Sequence, residues 1–229
     1  MAVSAAPVVR LYRTSIAKKT IMAVTGGIGI LFLILHIWGN LHIFEGSAQF
    51  NGYSRFLRIV GAPVFASSQL LWAVRIVLIV CVVLHVTAAV QLWQQSRASR
   101  PVGYKVHKNP GATWASRTMR IGGLIILAFI IIHLANLTWG WLHPSFVEGD
   151  VYHNVVALFS LWYVTVFYVV AMLAIGFHLY HGAWSMWQTL GVRTRRNDGL
   201  LRGGALVLAV VFVLASSAVP VAVLAGLVH

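Results

Sequence analysis

Five apolar segments constrain the fold more than any other feature of this sequence. They cover about 20–43, 69–94, 119–142, 154–188 and 203–227, and each reaches the ~20 residues that a helix needs to cross a bilayer. Hydrocarbon offers no hydrogen-bond partner, so segments of this length must be helical. Only 9% of the residues are charged, too few to cover a soluble surface. The sequence predicts an all-α integral membrane bundle of five helices, forming a single transmembrane domain over residues 1–229.

The basic residues predict the orientation of this bundle. Fourteen of the 17 lysines and arginines precede the first segment, or lie in the second-to-third and fourth-to-fifth connections. They are Arg10, Arg13, Lys18, Lys19, Arg97, Arg100, Lys105, Lys108, Arg117, Arg120, Arg193, Arg195, Arg196 and Arg202. The other connections hold only Arg55 and Arg58, with three of the four acids. The positive-inside rule places the N-terminus in the cytoplasm and the C-terminus outside. This topology, rather than nucleic-acid binding, explains the net charge of +13.

Four of the five segments contain a histidine at membrane depth. At 1.5 Å per residue, His36 and His133 lie roughly 10 and 14 Å below the outer ends of their helices. His85 lies roughly 24 Å down, and the histidine of the fourth segment is similarly deep. The histidines therefore form an outer pair and an inner pair. Helical periodicity favours His178 as the fourth member, but His181 lies on nearly the same face and stays open at this point.

A pair of histidines facing each other across a bundle is the ligand set of a bis-imidazole haem iron. Small residues beside such ligands let a flat ring approach the helix backbone, and glycines flank His36, His133 and His178. The alternative is that each imidazole merely hydrogen-bonds across the bundle. Four histidines at two matched depths favour haem, since polar groups deep in a membrane are costly and usually functional. The single cysteine, Cys81, excludes a multi-cysteine metal site.

Four stretches of the chain resemble a known family. They read SIAKKTIMAVTGGIGILFLILHIWGNLHIF, SQLLWAVRIVLIVCVVLHVTAAVQLW, WASRTMRIGGLIILAFIIIHLANL and FHLYHGAWSMWQTLG. They are similar to the cytochrome b membrane-anchor subunit of succinate dehydrogenase and fumarate reductase, of the single-chain, five-helix, two-haem b558 type. The most specific part is a histidine followed 13 residues later by a glycine, here Gly191. That spacing selects His178 over His181.

The resemblance implies two haem b groups, with His85 and His178 on the inner iron and His36 and His133 on the outer iron. It also implies a flavoprotein subunit and an iron–sulfur subunit on the cytoplasmic face, and a membrane quinone, menaquinone in the two-haem type. Electrons would pass from the iron–sulfur subunit through the two haems to the quinone. This role belongs to a multi-pass subunit of a bacterial cytoplasmic membrane, without a catalytic head of its own.

Candidate residues for a quinone site lie at both sides of the bundle. Some members of the family use a glutamate on the second helix, but the second apolar segment here has no carboxylate. By location, Arg58, Gln69 and Arg75 are candidates for a quinone or haem-propionate contact at the outer side. Arg75 has a plainer interpretation as an arginine that reaches towards the interface. Ser15, Lys19 and Trp184 are the corresponding candidates at the cytoplasmic side.

Three other functions remain compatible with the pattern. One is the dihaem cytochrome b subunit of a nitrate reductase, hydrogenase or formate dehydrogenase. Another is an anchor of the same complex without haem. The third is a transporter or proton channel that uses histidines as relays, which would favour an inverted repeat, and none is visible in the sequence.

Overall fold

The computed structural model describes residues 14–99 and 114–229, and within those ranges it contains helices and no strands. The predicted basic residues Arg10, Arg13, Arg100, Lys105 and Lys108, and the side chain of Arg117, lie outside this description. Seven α-helices follow one another along the described part of the chain. They are α1 (Ser15–Leu41), α2 (Ser47–Ile59), α3 (Gln69–Ala98), α4 (Trp114–Leu137), α5 (Val151–Phe159), α6 (Trp162–Thr189) and α7 (Asp198–Leu224).

Five of these helices, α1, α3, α4, α6 and α7, are long and apolar enough to cross a membrane. The prediction of an all-α bundle with five membrane helices is therefore confirmed. The short helices α2 and α5 both lie in connections at one end of the bundle, which we call the short-helix end. The opposite end carries the start of α1 and the α6–α7 turn, and we call it the basic end.

Helix α6 is the centre of the bundle and packs against α1, α4 and α7, whereas α3 packs mainly against α1. Helices α6 and α7 approach each other closely at Gly176, where an added Cβ would overlap Val213 Cγ2. Ala209 and Phe212 of α7 are buried at the same contact. Small residues allow the two backbones to approach closely. Close approach stabilises the pair because membrane helices associate largely through van der Waals packing.

The sequence predicts one continuous helix over 154–188, and the structure differs. The segment is interrupted at Ser160 and Leu161, so that α5 ends at Phe159 and α6 begins at Trp162. The Ser160 hydroxyl donates to the Val156 carbonyl at 2.8 Å, and the Thr165 hydroxyl donates to the Phe159 carbonyl at 2.8 Å. The Val156 carbonyl also accepts from the Ser160 amide at 3.0 Å, whereas the Thr165 hydroxyl gives the Phe159 carbonyl a partner at a break in an apolar environment.

The short helices α2 and α5, neither of which was predicted as a separate helix, are joined at the short-helix end. Asn51 of α2 donates from Nδ2 to Asp150 Oδ1 at 2.9 Å and accepts from the Tyr152 amide at 3.0 Å. Asp150 is the N-cap of α5 and accepts from the His153 amide at 3.0 Å. The bonds from His153 and Asn51 hold the pKa of Asp150 below its ordinary value. We call these residues the α2–α5 clasp.

Candidate functional site

Two pairs of imidazole rings meet between the membrane helices. The ring centres of His36 on α1 and His133 on α4 are 5.9 Å apart. Those of His85 on α3 and His178 on α6 are 6.2 Å apart. The structure thus brings together the same four histidines that the sequence sorted into an outer and an inner pair.

The two pairs lie at different levels of the bundle. His85 and His178 each lie 16 residues after the first residue of their helix, and both helices begin at the short-helix end. His36 and His133 lie 5 and 4 residues before the ends of α1 and α4, at that same end. At 1.5 Å per residue, the two levels are roughly 17 Å apart.

The distance within each pair is that expected for two imidazoles sharing one metal ion. A metal–imidazole bond is about 2 Å long. The centre of a five-membered ring with C–N bonds of about 1.33 Å lies roughly 1.1 Å behind the ligating nitrogen. Two opposed ligands therefore have ring centres about 6 Å apart, close to the 5.9 and 6.2 Å observed.

The helix faces that carry the rings have open glycine positions near them. The helices that carry each pair, α1 with α4 and α3 with α6, are not among the closely packed helix pairs. Gly29, seven residues before His36, and Gly122, eleven residues before His133, have nothing within 4 Å of an added Cβ. Both spacings put the glycine near the same helix face as its histidine. Gly122 also borders a crevice between α4 and α6 that reaches His178.

The hydrogen bonds of the rings decide which nitrogens are available to a metal. His85 Nδ1 is 3.1 Å from Thr25 Oγ1, which leaves Nε2 as the candidate ligand atom. The Nδ1 atoms of His133 and His178 are buried and have no hydrogen-bond partner within residues 14–99 and 114–229. Over the same residues, no cluster of three or more His, Cys, Asp or Glu side chains could hold a metal ion. Paired imidazoles beside open glycine faces fit a haem, whose macrocycle supplies the remaining ligands.

The structure separates the two competing histidines of α6. His178 faces His85, whereas the ring of His181 packs against Trp184 with its centre 6.1 Å away. His178 is therefore the residue placed to complete the inner pair.

The candidates for a quinone or haem-propionate contact at the short-helix end surround the turn that leads into α3. They are Arg58, Gln69 and Arg75. The Arg58 carbonyl accepts from the Ser68 amide at 2.5 Å, which places the end of α2 beside the start of α3. Gln69 is the first residue of α3, and its Oε1 accepts from the Ala66 amide at 3.0 Å. The guanidinium of Arg75 lies 4.9 Å from the centre of the Trp72 ring. These contacts give Gln69 and Arg75 structural partners of their own.

The candidates for a quinone contact at the basic end, which are Ser15, Lys19 and Trp184, do not form one cluster. Ser15 and Lys19 are exposed in the first turns of α1. Trp184 belongs to a separate cluster, in which its indole N–H donates to Asp198 Oδ1 at 3.1 Å. No hydrogen bond, ion pair or ring contact in the described part of the chain links Trp184 to Ser15 or Lys19.

Asp198 organises the basic end and was not among the predicted site residues. It accepts from Arg193 Nε at 2.6 Å and from Arg202 Nε at 3.0 Å. Both guanidinium groups also lie over the Trp184 ring, at 5.0 and 4.2 Å from its centre. The spacing of Asp198 and Arg202 by four residues is a pairing signal that the sequence contained. Thr25 is the second residue missed, since its contact with His85 joins two helices.

Comparison with known proteins identifies the family. Residues 94–218, more than half of the chain, match the family described as succinate dehydrogenase/fumarate reductase transmembrane subunit. The matched segment contains His133 and His178, whereas His36 and His85 precede it. No curated protein and no solved structure matches the chain. With five membrane helices and this match, the chain belongs to the succinate dehydrogenase/fumarate reductase transmembrane subunit family.

Proposed function

We propose that this chain is a dihaem cytochrome b of the b558 type, which carries electrons from an iron–sulfur subunit to a membrane quinone. The observation that supports this proposal is the pairing of four histidines from four helices. Their ring centres lie 5.9 and 6.2 Å apart at two levels of the bundle. A subunit that only anchored its partners would need neither pair, and burying four imidazoles in an apolar bundle is costly.

In this proposal His85 and His178 hold one haem iron, and His36 and His133 hold the other. Bound haem would supply one-electron transfer. The chain's own residues orient the ligands. The Phe32 ring stacks on His36 with centres 5.2 Å apart, and Phe129 lies 5.6 Å from His133. Phe129 is buried, so it also keeps water away from the pair nearer the short-helix end.

The basic end is proposed to face the cytoplasm of a bacterial cell, with the N-terminus on that side and the C-terminus outside. Arg193, Arg195 and Arg196 lie there in the α6–α7 turn, as the positive-inside rule requires. The flavoprotein and iron–sulfur subunits would dock on this end. For the quinone, proposed to be menaquinone, two positions remain candidates. One is near Arg58, Gln69 and Arg75 at the short-helix end, and the other is near Ser15, Lys19 and Trp184 at the basic end.

Single substitutions of the paired histidines test this assignment in the purified complex. We expect His85→Ala and His178→Ala to remove the same haem component from the reduced-minus-oxidised spectrum. We expect His36→Ala and His133→Ala to remove the other. His181→Ala is the matched control, because it removes an imidazole one turn from His178 that packs on Trp184 instead of His85. The assignment is wrong if two members of one pair affect different haems, or if His181→Ala alone removes one.

A further inference from the structure

We infer that Thr25 is a positioning residue for His85 and that its hydroxyl lowers the reduction potential of the haem held by His85 and His178. This inference rests on the proposed function, since it concerns a ligand to a haem. It adds a residue that lies on α1, although neither histidine of that pair does.

The direction of the hydrogen bond between Thr25 and His85 follows from the other contact that the Thr25 hydroxyl makes. The Thr25 hydroxyl donates its only proton to the Ile21 carbonyl, with Oγ1 2.7 Å from the oxygen. Oγ1 also lies 3.1 Å from His85 Nδ1. Because the hydroxyl proton is already engaged, Oγ1 must accept at this second contact, and Nδ1 of His85 must carry the proton. The tautomer that results presents an unprotonated Nε2 to a metal.

The His85 ring packs against α1 as well as hydrogen-bonding to it. Thr25 is only 7% exposed, so little water competes for its oxygen. The neighbouring Gly26 has no side chain, and an added Cβ there would lie 3.4 Å from His85 Cε1. The His85 ring therefore rests close to the α1 backbone, with Thr25 Oγ1 beside its Nδ1. This arrangement restricts the rotation of the ring about its side-chain torsions.

The paired histidines differ in whether their Nδ1 atom has a hydrogen-bond partner. The Nδ1 atoms of His178 and His133 have no hydrogen-bond partner within the described ranges. A hydrogen bond from Nδ1–H makes an imidazole a more basic ligand. A more basic ligand stabilises ferric iron relative to ferrous iron. Among these three histidines, only His85 has a described hydrogen-bond partner at Nδ1. Loss of that hydrogen bond should therefore raise the reduction potential of one of the two haems.

The test is a redox titration of the whole complex carrying Thr25→Val, which removes the hydroxyl and retains the branched shape. The loss of one neutral hydrogen bond should shift the ferric-to-ferrous ratio roughly two- to tenfold towards ferrous iron. This is a rise of about 18 to 59 mV in potential at 59 mV per tenfold change. The rise should occur only in the component that His85→Ala removes. Thr25→Ser keeps a hydroxyl and should keep the original potential.

Thr20→Val is the matched control, because the Thr20 hydroxyl also bonds within α1, to the Ile16 carbonyl at 3.1 Å, but is exposed. It should leave both potentials unchanged. If Thr25→Val loses the His85 haem and Thr25→Ser retains it, the hydroxyl is again the group required. Two haems with unaltered potentials in Thr25→Val would overturn the role of Thr25 and leave the proposed function intact. A complex without haem in the unaltered chain would instead overturn the proposed function.

Discussion

The contact between α6 and α7 at Gly176 leads to a prediction that does not depend on any cofactor. A Cβ placed on Gly176 would overlap Cγ2 of Val213 and would lie 3.7 Å from the Ala209 carbonyl oxygen. The change Gly176→Ala therefore requires Val213 to move or the two helices to separate. Helix α6 is the central helix of the bundle, so separation would also disturb its contacts with α1 and α4.

The size of the effect follows from two opposing contributions. Overpacking of a closely packed contact usually costs about 1–3 kcal/mol. Alanine in place of glycine inside a helix returns about 0.5–1 kcal/mol. We therefore expect Gly176→Ala to lower the free energy of unfolding by about 1 kcal/mol at the middle of both ranges, and by up to about 2.5 kcal/mol. In the double variant with Val213→Ala, the missing methyl groups make room for the new Cβ. The two changes should then couple favourably by about 1 kcal/mol.

Denaturant unfolding of the purified chain in detergent, with a complete double-mutant cycle, measures both quantities. Gly204→Ala on α7 is the matched control, since Gly204 is exposed and has nothing within 4 Å of an added Cβ. It should raise the stability by about 0.5–1 kcal/mol. The reasoning fails if Gly176→Ala stabilises the chain as Gly204→Ala does, or if Gly176→Ala and Val213→Ala are strictly additive.

Two further predictions concern the ends of the bundle. Because hydrogen bonds lower the pKa of Asp150, the stability of the α2–α5 clasp should be complete above the ordinary aspartate pKa of 3.8 and decline as the pH falls through the lowered value. Hydrogen-exchange protection of the α5 amides should follow that decline, and Asp150→Asn should abolish the pH dependence. At the basic end, Asp198→Asn removes the carboxylate shared by Arg193 and Arg202. Trypsin should then cleave the 193–196 turn faster and Trp184 fluorescence should change, whereas unchanged cleavage would contradict a structural role for Asp198.

The number of membrane helices could be predicted because bilayer thickness imposes a minimum length on an apolar segment. The grouping of His36 with His133 and His85 with His178 could be anticipated for a related reason. Each histidine occupies its own helix, and the rise per residue converts sequence position into depth. The structure brings these same pairs together, while their role as haem ligands stays a prediction.

The break at Ser160 could not be read from hydropathy, since α5 and α6 are both apolar and only the hydroxyls of Ser160 and Thr165, which bond carbonyls beside the break, distinguish it. Helix α2 was missed because its residues, Ser47–Ile59, are too polar to resemble a membrane segment. Helical periodicity alone left His178 and His181 open, and the spacing to Gly191 in the family resemblance selected His178, which the structure places opposite His85. Thr25 and His85 are 60 residues apart, so no local pattern indicates their hydrogen bond.

Quantification of haem in the purified complex tests the central claim most directly. The pairing of His36 with His133 and of His85 with His178 predicts about two b-type haems per copy of this chain. These should be visible in a reduced-minus-oxidised spectrum and countable after extraction. A reproducible value of zero, from a complex that retains its catalytic partners, would contradict the account and leave the chain as an anchor without haem.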